Sequence, residues 1–156
     1  MRALASFAAL ALALALPGCK GESAPAAAAT PATIPLTIES GGKRHAFRVE
    51  VARTPAAQQR GLMFRPPLAD DAGMLFAPYP PEGGPPREAS FWMKDTPSPL
   101  DIVFIRADGT IATVAADTIP YSEVPVTSGE PVAAVLELRA GRAAELGIAE
   151  GDRVRW

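Results

Sequence analysis

Cysteine and histidine are nearly absent from this 156-residue chain: Cys19 and His45 are the only ones. A single cysteine leaves no internal disulfide to form, so stability must come from packing. A lone His45, ahead of most of the apolar segments, offers no Cys/His set with metal-ligand spacing and has no evident Ser partner. Met63, Met74 and Met93 carry thioethers that could suit Cu(I), but each sits among Leu, Phe or Trp, as core methionines do. No metal site and no cofactor are expected. The chain has no G-x-S-x-G elbow, and Gly83-Gly84 lies among prolines and opens no helix, so it is not a phosphate loop. Basic blocks are missing too: 15 Lys and Arg against 17 Asp and Glu leave a formal net charge of −2, and nothing tracks a phosphate backbone. Nucleic acid is therefore not an expected partner. The apolar run Ala3 to Leu16 has 14 residues, short of the roughly 20 that a spanning helix needs.

What is present begins with that run. Arg2 precedes it and Leu16-Pro17-Gly18-Cys19 follows, the layout of a secretory signal over residues 1–18. The last four residues resemble the lipobox of bacterial lipoproteins. That resemblance implies that Cys19 is the lipidation site and the new N-terminus. Lys20 in the next position implies sorting to the outer membrane of a two-membrane bacterium, with the domain facing the periplasm. Lys20 to Thr33 is rich in Ala, Pro, Gly and Ser and reads as a flexible tether. The remaining residues, 34–156, suffice for one domain with one core.

Short strand signals fill that domain. Leu36 and Ile38 alternate with polar neighbours, as do Phe47, Val49 and Val51. Thr54-Pro55 opens a short helix that ends by Gly61, since Thr caps and Pro fits the first helical position. Gly73 to Phe76 and Ser90 to Met93 are strand candidates, and Pro78 to Pro86 is a Pro/Gly-dense loop. Asp101 to Ile105 is the best central strand; the Asp108-Gly109 turn leads to a return strand through Ile111, Thr113 and Ala115. Pro120 to Pro131 reads as a second loop, Val132 to Leu138 as an apolar strand, and Gly141 to Leu146 as a helical turn or two, stopped by Gly147. Gly151-Asp152 turns into a last strand ending at Trp156. The expected fold is all-β: a compact, mostly antiparallel sandwich or barrel-like domain with one or two short helices.

Four stretches stand out: Arg60-Gly61-Leu62-Met63-Phe64-Arg65, Asp71-Ala72-Gly73-Met74-Leu75-Phe76, Phe91-Trp92-Met93-Lys94-Asp95-Thr96 and Pro99-Leu100-Asp101-Ile102. With Val135-Leu136-Glu137-Leu138, Ala140-Gly141, Gly147-Ile148 and Gly151-Asp152 they resemble the DUF192 family, small bacterial and archaeal domains of uncharacterised function, from about Phe47 to Val154. Asp95 stands where the family often has Asn. The resemblance implies a curved all-β domain with a groove and no established reaction.

The residues have their own reading. Arg60 and Arg65 flank an apolar segment and are either solvated or acid-paired, or form a fork for a carboxylate or phosphate. Strand alternation would put Trp92 and Lys94 on one accessible face, as a groove floor or as a half-buried tryptophan beside a snorkelling lysine, and Met93 in the core. Asp101 and Glu137 interrupt apolar strands, so each must reach water or a partner. They are structural partners of Arg60, Arg65 or Lys94, or else a polar cluster or general acid in a groove. Asp95 and Thr96 are expected to cap the following turn through side-chain hydrogen bonds.

Three functions follow. The first is an envelope binding module whose shallow polar-aromatic groove, from Arg60, Arg65, Trp92, Lys94, Asp101 and Glu137, takes a small anionic molecule, a glycan or a peptide. The second is a hydrolase of an envelope polymer that uses Asp101 and Glu137 as a carboxylate pair. The third is a structural or assembly protein that binds an envelope protein. The chain is expected to be a monomer that meets the membrane through its lipid.

Overall fold

The computed structural model describes residues 32–156. The expected signal segment, Cys19 and most of the expected tether lie outside the described residues. The elements are β1 (Thr33–Ser40), β2 (Lys43–Ala52), α1 (Pro55–Arg60), β3 (Ala72–Phe76), β4 (Arg87–Phe91), β5 (Leu100–Ile105), β6 (Ile111–Ala115), β7 (Val126–Val132), β8 (Ala134–Arg139), α2 (Arg142–Leu146) and β9 (Arg153–Arg155). Seven strands form one sheet in the order β6-β5-β8-β3-β2-β1-β9; β4 and β7 form a second sheet. The domain is all-β and nearly antiparallel throughout, β2 and β3 being the parallel pair. A parallel pair needs a crossover, and α1 with the loop after it supplies one.

The large sheet almost closes into a barrel. Its outer strands approach through a bridge between Thr110 and Arg153. Ile111 N donates to Asp152 O at 2.8 Å, and Val154 N donates to Gly109 O at 2.8 Å. Arg106 braces the seam, donating to the Ile111 carbonyl at 2.8 Å and pairing with Glu130 and Glu150. Closure removes the open edges that a seven-stranded sheet would otherwise expose.

The central strands are buried on both faces, which explains why β5 is buried at every position. Inside the barrel lie Leu36, Phe47, Val49, Leu75, Val103, Ile105, Leu136 and Leu138, with Ala143 and Ile148 around α2. On the outer face of β3, β5 and β8 lie Met74, Phe76, Ile102, Phe104 and Val135. The second sheet covers this outer layer with Ala89 and Val132, helped by Leu62 and Met93. Alternation therefore decides, residue by residue, which of two apolar environments a side chain enters.

Two segments depart from the sequence expectation. The second half of the Pro120–Pro131 stretch, expected as a loop, becomes β7 from Val126 onward. The pairing absorbs its irregular residues: a register shift lies between Glu88 and Ser90, opposite the part of β7 that holds Gly129 at φ 70°. Pro131 is tolerated because the sheet has only two strands, so one side of each goes unpaired. The strand expected at Ser90–Met93 instead spans Arg87–Phe91. Beyond it the backbone turns, with Met93 N donating to Ser122 O and Asp95 at φ 52°.

Candidate functional site

A cleft of about 310 Å³ opens on the outer face, between α1, the Pro-rich loop and the end of β4. Local chemistry sets its walls. Thr54 caps α1 by accepting from Ala57 N at 3.2 Å, and Pro55 occupies the first turn. Gln58 then ties the helix down: its Nε2 donates to the Ala52 carbonyl at 3.0 Å and to the Pro78 carbonyl at 2.8 Å. One side chain thus holds two walls together. Gly61 ends the helix at φ 47°, and a Cβ there would stand 3.3 Å from the Phe76 ring. The position calls for glycine on both counts.

Aromatic rings form much of the remaining lining. Phe91 meets Phe76 edge-on at 5.0 Å and lies 6.0 Å from Tyr79. Trp92 borders the cleft and is 45% exposed. The turn that carries it is pinned from two sides: Phe64 N donates to Asp95 O at 2.8 Å, and Tyr121 N donates to Thr96 O at 3.2 Å. Thr96 donates its hydroxyl back to Lys94 O at 3.1 Å, inside the turn that precedes it, rather than capping the turn into Pro97 as expected, and among the described residues the Asp95 side chain makes no hydrogen bond.

Two arginines reach the cleft. Arg87 lies over the Tyr79 ring at 5.6 Å and pairs with Glu82 at 2.7 Å. Arg60, in the last turn of α1, has no carboxylate within ion-pair distance among the described residues.

Glu137 also lines the cleft. It is 4% exposed, and its Oε2 has no hydrogen-bond partner among the described residues. In register it stands between Met74 on β3 and Ile102 on β5, both apolar. Desolvation alone pushes its carboxyl from the ordinary 4.5 up to about 8, because burial penalises the charged form. At neutral pH the side chain is therefore mainly an uncharged acid.

Of the six residues expected at a groove, the structure brings Arg60, Trp92 and Glu137 to this cleft and not the other three. Lys94 stacks over Trp92, its Nζ 5.3 Å from the ring, without joining the lining. Arg65 is acid-paired, one of the two expected alternatives: it forms a bidentate pair with Glu50 on β2, at 2.5 and 3.2 Å. Asp101 is fully buried and accepts backbone N–H groups from Asp117 at 2.9 Å, Gly141 at 3.1 Å and Ala143 at 2.8 Å. It holds the start of α2 against β5. Neither carboxylate pairs with Arg60, Arg65 or Lys94.

The two carboxylates also fail to form a pair. Asp101 sits opposite Leu138 while Glu137 sits opposite Ile102, one residue out of step. Alternation then sends Asp101 to the barrel side and Glu137 to the outer side. Tyr79, Arg87 and Gln58 were missed: the first lies in a loop without periodicity, and the others read as ordinary surface residues. Among the described residues, no group of three or more His, Cys, Asp or Glu side chains converges as metal ligands would.

The comparisons agree on kinship and leave function open. The model of the DUF192 family, described as "Uncharacterized ACR", matches residues 36–156. A solved structure of a protein of unknown function from Novosphingobium aromaticivorans DSM 12444 is 45% identical. It superposes with a TM-score of 0.74 over 80% of this chain and 85% of that one. A protein from Sinorhizobium meliloti 1021, named as a candidate transcription regulator, is 41% identical with a TM-score of 0.74, over 81% of this chain and 95% of that one. No curated protein matches the chain. By the family match and by these two relatives, the chain belongs to the DUF192 family.

Proposed function

We propose that this domain is an envelope binding module whose cleft takes a small organic anion with an apolar or ring-shaped body. The observation that carries the reading is Arg60, a cation without a carboxylate partner among the described residues, lining a cleft walled by Trp92, Phe91 and Tyr79. An anion offered there gains a charge-assisted hydrogen bond, and its body displaces water from aromatic surface. Lipid attachment at Cys19 would hold the module at the outer membrane, facing the periplasm. The hydrolase alternative has less support, since Asp101 is committed to three backbone amides and faces away from Glu137. A nucleic-acid role, suggested by the name of the S. meliloti relative, gains no support from a net charge of −2 and a sequence without a basic block.

The test uses 8-anilinonaphthalene-1-sulfonate, an aromatic anion whose fluorescence rises on binding. Saturable binding should weaken about tenfold in Arg60→Ala, the loss expected for one hydrogen bond to a charged group. Trp92→Ala should weaken it as well, with circular dichroism unchanged in both. Unaltered affinity in both variants rules out this cleft. Lipidation is read separately: label from radioactive palmitate should enter the wild-type protein in its host and not Cys19→Ala.

A further inference from the structure

Glu137 asks for more than an anion site. A carboxyl buried to this degree ordinarily has hydrogen bonds, and its Oε2 has none. The charged groups around it are accounted for. Across the sheet in register lie Glu50, Met74, Glu137 and Ile102, so the next acid on that face is Glu50, which Arg65 neutralises. Arg139, two residues along β8, is engaged by Asp70 and Glu145. Over the cleft stand Arg60 on α1, Tyr79 on the Pro-rich loop and Arg87 on β4, the last held by Glu82. His45, the only histidine, is not in the lining.

Among the described residues no cation therefore neutralises Glu137, and its cross-strand neighbours, Met74 and Ile102, are apolar. Such a carboxyl keeps its proton and carries one strong donor, the O–H, on a side chain that lines the cleft. We infer that Glu137 binds as a neutral acid, donating its O–H to an acceptor oxygen on the inner end of the ligand while Arg60 meets the anionic end. The inference rests on the reading of the cleft as an anion site and narrows the ligand class. It becomes a carboxylate with a hydrogen-bond acceptor at the far end of an apolar body, and its affinity depends on a proton that the protein supplies.

Two benzoates of similar shape separate this from simple anion binding. In 4-acetylbenzoate a carbonyl acceptor stands opposite the carboxylate; in 4-isopropylbenzoate a hydrocarbon group replaces it. Each is titrated against protein carrying 8-anilinonaphthalene-1-sulfonate, from pH 6 to pH 9. The acetyl compound should bind more tightly at pH 7, and its affinity should fall about tenfold by pH 9 as Glu137 loses its proton. Glu137→Gln, whose amide N–H also donates, should retain the preference and lose the pH dependence. Glu137→Leu should abolish the preference.

Equal affinity for the two benzoates in the wild type overturns the inference, as does an affinity for the acetyl compound that is flat or rises with pH. So does failure of both to displace the fluorophore while the fluorophore itself binds saturably; that outcome leaves the anion cleft standing. Absence of saturable fluorophore binding overturns both readings.

Discussion

Replacing Glu137 by Gln should raise stability relative to the wild type progressively as pH rises. In the unfolded chain this glutamate ionises near 4.5, whereas burial holds it protonated in the folded state up to about 8. The folded state then binds more protons than the unfolded one between those values, and stability falls as pH rises through that window. The contribution of Glu137 is fully present below 4.5 and fully lost above about 8. At about 1.4 kcal/mol per pH unit, that rise corresponds to about 5 kcal/mol in total. A domain of this size has only about 5–15 kcal/mol to begin with, so the effect is large. Gln has nearly the same shape and does not titrate. Its cost as a buried amide is constant with pH, and the other titrating groups cancel between the two proteins. Urea unfolding of both proteins, followed by circular dichroism from pH 5 to pH 9, isolates the difference, with equal m-values as the check that the transition is the same. The gap in unfolding free energy should widen by about 1.4 kcal/mol per pH unit and flatten above pH 8. Parallel profiles would show that Glu137 is solvated or partnered in the folded protein and would refute the reasoning.

Other outcomes follow from the same geometry. Asp101→Ala leaves the amides of Asp117, Gly141 and Ala143 without their acceptor; it should cost at least about 3 kcal/mol in urea unfolding, and an unchanged midpoint would contradict the assigned role. Gly73→Ala places a Cβ 2.8 Å from the Glu137 carbonyl oxygen and 3.1 Å from Val49. Both neighbours are sheet core, so thermal unfolding should show a loss of roughly 1–3 kcal/mol. Arg65→Ala removes a partly exposed pair with Glu50 and should lower stability by about 1 kcal/mol or less. Binding of the fluorescent anion should be unchanged in that variant; a tenfold loss would return Arg65 to the site.

Much of the fold was legible in the sequence because its signals are local. Thr54-Pro55 marks a helix start through capping chemistry, and Asp108-Gly109 marks a turn through its backbone preference; both lie where expected. Alternation at Phe47, Val49 and Val51 placed one apolar face against the core. The stretch after Pro120 was misjudged because its prolines and glycines are breakers in isolation, while a two-stranded edge pairing accommodates them. Met93 was expected in the core and Trp92 outside it. Their burial agrees, although a turn rather than a strand presents them.

The candidate site was legible only in part, for a reason that lies in β5 and β8. The sequence by itself determined that Asp101 and Glu137 interrupt buried strands, and so that each would need an unusual environment. It could not say which environment, because both faces of these strands are apolar and the hydropathy pattern no longer distinguishes inside from outside. Tertiary structure decided that through register. Pairing Asp101 with Leu138 and Glu137 with Ile102 puts the two acids on opposite faces of one sheet. On the barrel side, the backbone around α2 supplied three amides to Asp101. On the outer side, the covering layer buried Glu137 in the wall of a cleft and gave its Oε2 no partner among the described residues.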